Sequence, residues 1–363
     1  MNCASVSVAS CMYEMHYAAW PFTAGRSFCT MSGKFHFAID RGGTFTDIWC
    51  RLPNGSVRQM KLLSEDPKNY KDAPREGIRR IMEEFLGCSL PAEEKLSPSR
   101  IAWVRMGTTV ATNALLERKG ERMALLVTSG FKDLLYIGNQ ARPNIFDLKV
   151  QTPDTLYDRV VEVEERVVVH ENVKLVSHST GNAPRMDKTI TGEKVEVWTE
   201  LNRDRLRSDL QDVYNDGIRS IAVILLHSYM YDKHEVLVRE IAEEIGFTQV
   251  SLSSVIMPMC RAVPRGHTAC VDAYLTPSIK RYVDGFAAGF EGGLENLNVM
   301  FMQSDGGLTG ALRFSGAKAM LSGPAGGVVG YAATSNYEKT GTPVIGFDMG
   351  GVYIYIEEMK KLN

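Results

Sequence analysis

The chain has 363 residues, of which 44% are hydrophobic and 23% are charged, and its formal net charge is −2. A chain of this length fits two domains of about 150 residues each. The near-neutral charge gives no electrostatic reason to expect nucleic acid or an anionic membrane as a partner. No apolar run approaches the roughly 18 residues that indicate a membrane-spanning helix.

The seven cysteines are scattered and form neither a C-x-x-C pair nor a zinc-ligand spacing with the histidines. Scattered, odd-numbered cysteines are typical of a reducing compartment, so we expect free thiols and a cytosolic location. Residues 1–33 contain one acidic residue and one arginine, and they lack the charged and apolar regions of a secretory signal. We expect them to form a disordered extension.

The first predicted elements are a hairpin and a helix. Asn54-Gly55 is a two-residue hairpin signal between strands within Phe35–Leu52 and Ser56–Leu63. Over residues 71–86 apolar side chains recur on one helical face, and Gly87 ends the helix.

A strand–helix–strand pattern follows. Ile101–Met106 and Met123–Thr128 are strand-like, and Val110–Lys119 has the pattern of a helix between them. This alternation predicts an α/β fold with a parallel or mixed sheet covered by helices. Residues 170–200 are polar and weakly periodic, so we expect a surface loop or an excursion of β structure there.

The second half of the chain continues the alternation. Asp232 and Glu235 have the spacing of a capping box and predict the start of a helix that runs to Ile245. We place a lobe boundary here, with residues 34–245 in the first lobe and 246–363 at the start of the second. The remaining predicted strands are Ser220–Leu226, Gln249–Leu252, Val299–Gln303, Val344–Asp348 and Val352–Ile356, and the remaining helices include Leu206–Val213, Ser278–Phe290 and residues 321–335.

One short motif occurs twice. An apolar run ends in Asp40-Arg41-Gly42-Gly43, and a second one ends in Asp348-Met349-Gly350-Gly351. Each copy predicts a buried strand followed by a tight glycine turn. Glycine has no Cβ, so backbone N–H groups in such a turn can close on an anion, while the aspartate can hold a divalent cation. Two unrelated hairpins are the alternative interpretation.

From about Phe35 to Gly351 the chain resembles the hydantoinase A / 5-oxoprolinase family. The resemblance implies an actin-like (ribonuclease H-like) ATPase fold, in which two such turns face each other across a cleft and hold the phosphates of ATP. It also implies the ATP-dependent opening of 5-oxo-L-proline to L-glutamate within glutathione turnover, by phosphoryl transfer to the amide oxygen and hydrolysis. Besides the two turns, the segments that carry the resemblance are Met106–Arg118, Pro264–Cys270, Ser304–Gly307 and Leu321–Gly327.

The first turn supplies the candidate phosphate and cation site. Asp40 is the candidate Mg²⁺ ligand, through water, because Mg²⁺ keeps several waters and takes few carboxylates. Asp47 is a candidate catalytic group that could orient the attacking group or face the cation, with a plain turn-end carboxylate as the alternative. The residues expected to bind phosphate are Gly42, Gly43, Thr44 and Thr46.

The second turn is expected to mirror the first, with Asp348 at the metal and Gly350 and Gly351 on the nucleotide. The family continues this turn into Thr-Ser-Thr-Asp, whereas Val352-Tyr353-Ile354-Tyr355 follows here. The rest of the second lobe and the hydantoinase-B-like region of full-length relatives do not follow either. We therefore expect a truncated chain with an incomplete second lobe, which is inactive by itself.

Substrate-contacting and further catalytic residues are predicted in three places. Thr108 and Thr109 precede a helix that carries Asn113, and a helix N-terminus offers N–H groups to a carboxylate or phosphate; a threonine cap without ligand is the alternative. Arg142 could clamp a substrate carboxylate through two hydrogen bonds. Asp305 is a candidate for acid–base catalysis or metal binding, and the alternative is that it only forms an Asp-Gly turn.

The expected ligands are ATP and Mg²⁺, with K⁺ as a further candidate, and 5-oxo-L-proline as the small-molecule substrate. No nucleic-acid or membrane partner is expected, and a homodimer stays open for the full-length form. Two other functions also stay open. One is a related ATP-dependent hydantoinase or an acetone-carboxylase-like subunit, and the other is a non-catalytic fragment.

Overall fold

The computed structural model describes residues 33–139, 146, 153–170, 184–335, 343–349 and 354–359. The chain divides into two compact units, one of residues up to Lys119 together with those from Ser278 onwards, and one of Gly120–Pro277. These units are defined by contacts in space, so the lobe boundary expected after residue 245 stays a prediction. The extension expected over residues 1–33 lies almost wholly outside the described residues.

Strands and helices alternate along the described chain. The strands are β1 (Phe35–Arg41), β2 (Phe45–Arg51), β3 (Val57–Leu63), β4 (Ile101–Thr108), β5 (Met123–Thr128), β6 (Arg159–Val163), β7 (Arg166–Val169), β8 (Arg185–Lys188), β9 (Lys194–Thr199), β10 (Ser220–Ile224), β11 (Gln249–Leu252), β12 (Val299–Met302), β13 (Leu308–Gly310), β14 (Val344–Met349) and β15 (Ile354–Met359). The helices are α1 (Ala73–Leu86), α2 (Val110–Leu116), α3 (Leu134–Ile137), α4 (Arg203–Asn215), α5 (Lys233–Ile245), α6 (Ser253–Ile256), α7 (Ala262–Ala287), α8 (Gly316–Ala319) and α9 (Ser322–Thr334).

A six-stranded sheet organises the first unit, in the order β13-β12-β4-β1-β2-β3. Strands β1, β4 and β12 run parallel, whereas β2, β3 and β13 are antiparallel to their neighbours. The predicted mixed sheet is therefore confirmed. Because the three parallel strands end at the same edge, the loops that follow them lie close together there. In the same unit β14 and β15 form a two-stranded antiparallel sheet.

Helix α1 packs on one face of the six-stranded sheet. Asp72 caps its first turn by accepting a hydrogen bond from the backbone N–H of Arg75 (2.8 Å). Gly87 ends it in the left-handed conformation, at φ 64°. A Cβ on Gly77 would lie 2.2 Å from Cδ1 of Ile48, so helix and strand approach closely. The helix predicted over residues 71–86 is confirmed, with its start two residues later.

The second unit is built on a four-stranded parallel sheet, in the order β11-β10-β5-β6. Every residue of β5 and β10 is buried, as is typical of parallel strands covered on both faces. Strands β7, β9 and β8 form a separate antiparallel sheet. This sheet confirms the excursion of β structure expected within residues 170–200, apart from residues 171–183, which lie outside the described part.

Asp232 and Glu235 do not form the predicted capping box. Asp232 makes no side-chain hydrogen bond at the start of α5. The buried carboxylate of Glu235 instead accepts hydrogen bonds from the backbone N–H groups of Leu225 and Ser254 and from Oγ of Ser253. Leu225 directly follows β10, and Ser253 and Ser254 begin α6 after β11, so tertiary contacts replaced the local bond that the spacing predicted.

The helix predicted over Ser278–Phe290 is longer than expected, since α7 begins at Ala262 and ends at Ala287. It contains Pro277 in its interior. Apolar and small residues occur on several sides of this helix, which weakens the 3.6-residue period on which the prediction relied. In the residues that the structure covers, no helix is both long and apolar enough to cross a bilayer.

The four cysteines that the structure describes, Cys50, Cys88, Cys260 and Cys270, are free thiols. The prediction of free thiols is confirmed for these four. The other three cysteines lie outside the described residues.

Candidate functional site

The first glycine turn joins β1 to β2 at the edge where the parallel strands end. Gly42 donates its backbone N–H to the carbonyl of Phe45 (2.9 Å), and a Cβ on Gly42 would lie only 2.9 Å from that oxygen. This close approach requires glycine. Gly43 and Thr44 are exposed at the tip of the turn. The turn therefore presents backbone to solvent, as a phosphate-binding turn must.

A pair of hydroxyl groups holds the turn from within. Thr46 is fully buried, and its Oγ1 lies 3.0 Å from Oγ of Ser64. Ser64 donates from Oγ to the carbonyl of Gly42 (2.7 Å) and from its backbone N–H to the carbonyl of Thr44 (2.9 Å). The hydroxyl of Thr46 is thus engaged inside the protein, and its predicted contact with phosphate stays a prediction. Sequence reasoning missed Ser64, which belongs to no motif.

Asp40, Asp47 and Lys61 lie side by side across β1, β2 and β3. Asp40 is opposite Asp47, and Asp47 is opposite Lys61, so the three side chains share one face of the sheet. Nζ of Lys61 lies 2.9 Å from both carboxylate oxygens of Asp47. Oδ1 of Asp40 is buried and has no hydrogen-bond partner in the part of the chain that the structure describes.

The electrostatic environment of Asp40 is unfavourable to its charge. The pKa of Asp40 is raised to about 7, chiefly by burial and then by the negative charges of Asp47 and Asp348, while Lys61 counteracts part of the rise. Burial also raises the pKa of Asp348. Asp348 therefore lies near enough to influence Asp40, in keeping with the predicted pairing of the two turns. Gly350 and Gly351 lie outside the described residues.

The residues at this corner fit a hydrated divalent cation. Mg²⁺ is usually bound by one or two carboxylates together with waters and phosphate oxygens. Asp40 offers a carboxylate oxygen without a partner among the described residues. A cation would favour the charged form of this carboxylate and so offset the effect of burial. Within the described ranges, no group of three or more His, Cys, Asp and Glu residues is arranged to hold a metal ion.

Strand β4 brings the predicted substrate residues beside the first turn. Thr108 is the neighbour of Arg41 in the sheet, and Thr109 donates its backbone N–H to the carbonyl of Arg41 (3.1 Å). Nδ2 of Asn113 lies 3.3 Å from Oγ1 of Thr109. Helix α2 has only seven residues, and the Thr109 side chain makes no cap hydrogen bond. The candidate ligand contacts here therefore depend on side chains rather than on the helix N-terminus.

Helix α9 connects this edge to the strand that carries Asp348. Oγ of Ser322, its first residue, lies 3.5 Å from the backbone nitrogen of Thr108. Near the other end of α9, a Cβ on Gly346 of β14 would lie 2.1 Å from the ring of Tyr331. The close approach of helix and strand positions β14, and Asp348 with it, relative to the first turn.

Asp305 lies in the turn after β12 and is exposed. Its Oδ1 accepts a hydrogen bond from the backbone N–H of Gly307 (2.8 Å), and Gly306 has a φ of 81°. These contacts are those of an Asp-Gly turn, and a catalytic role for Asp305 stays a prediction. Arg142 lies outside the described residues.

Sequence reasoning did not single out Arg41 and Tyr282, which also border the site. The guanidinium carbon of Arg41 lies 5.2 Å from the centroid of the Tyr282 ring. Arg41 lies inside the glycine motif, but a charged residue at the end of a strand does not by itself indicate a functional role. Tyr282 is distant in sequence, on α7, and only the fold brings it here.

Two family models match the chain. The one described as "Hydantoinase/oxoprolinase N-terminal region" matches residues 36–246, and the one described as "Hydantoinase/oxoprolinase" matches residues 265–354. The chain belongs to the hydantoinase/oxoprolinase family. The resemblance found in the sequence is thereby confirmed.

Relatives in this family include enzymes much longer than this chain. It is 55% identical over 322 residues to 5-oxoprolinase 1 of Arabidopsis thaliana, which covers 88% of this chain and 25% of that protein. It is 49% identical over 329 residues to 5-oxoprolinase of Dictyostelium discoideum, which covers 87% of this chain and 26% of that protein. The chain thus spans about a quarter of the length of these relatives.

Two solved structures share the fold. The nucleotide-free structure of acetone carboxylase superposes with a TM-score of 0.64 at 20% identity, over 90% of this chain and 44% of that chain. The ATP-dependent caprolactamase of Pseudomonas jessenii superposes with a TM-score of 0.64 at 24% identity, over 89% and 43%. At these identities the likeness shows the fold alone, and it agrees with the predicted actin-like α/β fold.

Proposed function

We propose that this chain is the amino-terminal ATPase part of a 5-oxoprolinase, a cyclic amide hydrolase that uses ATP to open 5-oxo-L-proline to L-glutamate. The observation that carries the proposal is the buried carboxylate oxygen of Asp40, which has no hydrogen-bond partner among the described residues and lies beside an exposed glycine turn. Further support comes from the relatives named 5-oxoprolinase and from the shared fold of an ATP-dependent caprolactamase.

The first turn would bind the phosphates of ATP. Backbone N–H groups at the exposed tip, at Gly43 and Thr44, are the donors that can approach phosphate oxygens without a side chain in the way. When bound, Mg²⁺ would neutralise charge on the phosphate oxygens and so favour attack on phosphorus. Asp40 would hold the hydrated ion, and Asp348 would face it from β14.

Asp47 would act as a positioning carboxylate. Lys61 binds both of its oxygens at 2.9 Å, which fixes the orientation of the carboxylate. Its place directly opposite Asp40 suits a hydrogen bond to water on the cation. This arrangement favours the cation-facing role among the alternatives that the sequence left open for Asp47.

The 363-residue chain alone would bind Mg²⁺-ATP without turning over 5-oxoproline. Positioning and charge stabilisation supply nearly all of the catalysis in phosphoryl transfer. Turnover therefore requires all the groups that bind the nucleotide and the lactam. The chain spans about a quarter of the length of its 5-oxoprolinase relatives. We therefore place the remaining catalytic groups in the parts of those relatives that this chain does not match.

Calorimetric titration of the chain with Mg²⁺-ATP, and with ATP plus a chelator, tests the proposal. We expect binding that depends on Mg²⁺ and that weakens about tenfold or more in Asp40→Asn and in Asp348→Asn, because each variant removes a charge facing the cation. Asp284→Asn, an exposed position on α7, is the control and should bind as the wild type does. Equal affinity with and without Mg²⁺ would contradict the proposal.

A further inference from the structure

The side chain of Arg41 is held in place at the end of β1. Its guanidinium lies over the ring of Tyr282 in a cation–π contact, with 5.2 Å between the guanidinium carbon and the ring centroid. The hydroxyl of Tyr282 in turn donates a hydrogen bond to Sδ of Met106 on β4 (2.7 Å). A cation–π contact holds a guanidinium near the ring without using its N–H groups, which can then bind an anion.

The N–H groups of Arg41 are not committed elsewhere in the described chain, where its guanidinium makes no hydrogen bond and no ion pair. The positive charge of Arg41 acts to lower the pKa of Asp72. Burial raises the pKa of Asp72, and the N–H of Arg75 and the charge of Arg41 counteract the rise. Oδ2 of Asp72 already accepts the hydrogen bond that caps α1. A half-buried guanidinium with unused donors is a site for an anionic group of a ligand.

An acceptor without a partner in the described chain is connected to the backbone of Arg41 through Thr109. Thr109 donates to the carbonyl of Arg41 through its N–H (3.1 Å) and Oγ1 (3.4 Å), and Nδ2 of Asn113 lies 3.3 Å from that Oγ1. Oδ1 of Asn113 is buried and has no partner among the described residues. A lactam acid such as 5-oxoproline needs a cation for its carboxylate and an acceptor for its ring N–H. Arg41 carries such a cation and Asn113 such an acceptor, and Thr109 connects the two residues.

The strand geometry separates the side chain of Arg41 from that of Asp40 on the phosphate side. Successive side chains of a strand point to opposite faces, so Arg41 and Asp40 diverge from the same strand end. Asp40 shares its face with Asp47 and Lys61, whereas Arg41 lies towards Tyr282. A nucleotide held by the Asp40 face and a lactam held by Arg41 would meet at the glycine turn between them.

We propose that Arg41 binds the carboxylate of the lactam substrate, that Asn113 accepts its ring N–H, and that Tyr282 is a positioning residue for Arg41. This inference rests on the proposed function, because it takes a lactam acid as the substrate. It adds to that function the residue that distinguishes lactams with a carboxylate from lactams without one.

Calorimetry with two ligands tests the inference: 5-oxo-L-proline and 2-pyrrolidinone, the same ring without the carboxylate. The wild-type 363-residue chain should bind 5-oxo-L-proline about 10- to 100-fold more tightly, as a charge-assisted pair implies. Arg41→Gln should remove this preference, and Arg41→Lys should restore part of it. Arg58→Gln is the matched control, because Arg58 lies on β3 of the same sheet with its own partner Glu84, and it should keep the full preference.

The positioning role of Tyr282 has its own readout. Tyr282→Phe keeps the ring under the guanidinium and should keep most of the preference, whereas Tyr282→Leu should lower it. Thermal unfolding of each variant identifies any that fail to fold. A wild type that binds both lactams equally, or a folded Arg41→Gln variant that still prefers 5-oxo-L-proline, would overturn the inference.

Titration with Mg²⁺-ATP separates the inference from the proposed function. Arg41→Gln should bind Mg²⁺-ATP as the wild type does, since Arg41 lies on the face away from Asp40. Loss of Mg²⁺-ATP affinity with unchanged binding of 5-oxo-L-proline would assign Arg41 to phosphate and overturn the inference. Failure of the wild type to bind Mg²⁺-ATP would count against the proposed function, while a lactam preference that depends on Arg41 would still support the carboxylate site.

Discussion

Replacing Asp40 by asparagine should make the protein more stable at alkaline pH while it weakens cation binding. Oδ1 of Asp40 is buried without a hydrogen-bond partner among the described residues, and Asp47 and Asp348 add negative charge nearby. An ionised carboxylate in this position costs free energy that a neutral amide of the same shape avoids. The charged carboxylate of Asp40 would thus lower the stability of the protein while it allows a cation to bind.

The pKa of Asp40 sets the size and the pH range of this effect. The pKa is raised from 3.8 to about 7, and one pKa unit corresponds to about 1.4 kcal/mol, so the total is about 4 kcal/mol at most. Because the pKa of Asp40 is higher in the folded than in the unfolded state, its contribution to the free energy of unfolding is complete below about pH 4. This contribution is lost as the pH rises through about 7. Between about pH 5 and pH 8 the wild type should lose about 3 kcal/mol that Asp40→Asn keeps.

Urea unfolding of the wild type, Asp40→Asn and Asp284→Asn, without divalent cations, measures the difference. The gap between the urea midpoints of Asp40→Asn and the wild type should widen in favour of the variant between about pH 5 and pH 8. Asp284→Asn should follow the wild type at both pH values. A gap that stays constant, or that moves in favour of the wild type, would refute the reasoning.

Three further predictions concern the groups around Asp40. Ser64→Ala should lower the free energy of unfolding by about 1–3 kcal/mol, because it removes the hydrogen bond to the Gly42 carbonyl and the Ser64 partner of the buried Thr46 hydroxyl. Thermal unfolding measures this loss, and the control is a smaller loss when the same change is made in a Thr46→Val background. Gly346→Ala should cost about 1–3 kcal/mol through the 2.1 Å clash with the Tyr331 ring; in a double-mutant cycle with Tyr331→Ala the cost should shrink, and an unchanged cost would contradict the contact. Lys61→Met removes the positive charge that counteracts the rise in the pKa of Asp40, so Mg²⁺-ATP binding should shift to higher pH; an unshifted pH profile in calorimetry would count against this.

The first glycine turn was predictable because its signals are local. An apolar run, an aspartate and two glycines sit within a few residues, and steric and hydrogen-bonding rules for such a stretch need no distant partner. The presence of a hairpin at Asn54-Gly55 and the end of α1 at Gly87 were predictable for the same reason. The hairpin loop has three residues, 53–55, rather than the predicted two, because Leu52 donates its N–H to the carbonyl of Ser56. Each of these residues determines backbone geometry where it stands.

The remaining features depend on partners that the fold supplies. Ser64 reaches Gly42 across 22 positions, and Tyr282 reaches Arg41 from α7. Glu235 had the local spacing of a cap, but burial gave it three other donors. Polar groups bond to whatever donor or acceptor burial places beside them, so their partners cannot be read from spacing alone.

The electrostatic state of Asp40 also depended on the fold. The sequence identified the residue as a metal ligand candidate, but the raised pKa comes from burial and from Asp47 and Asp348. Asp348 stands more than three hundred positions away. The motif therefore made Asp40 a candidate, and the packing of α9 against β14 explains how the second copy comes to act on the first.

A chimera tests the central claim most directly. The matching segment of 5-oxoprolinase 1 of Arabidopsis thaliana, 55% identical over 322 residues, would be replaced by that of this chain, and L-glutamate formation from 5-oxo-L-proline and ATP would be measured beside hydantoin and acetone. We predict ATP-dependent glutamate formation in the chimera, with loss of activity on Asp40→Asn and no change on Asp284→Asn. A folded chimera that forms no glutamate, or that acts on hydantoin or acetone instead, would contradict the account.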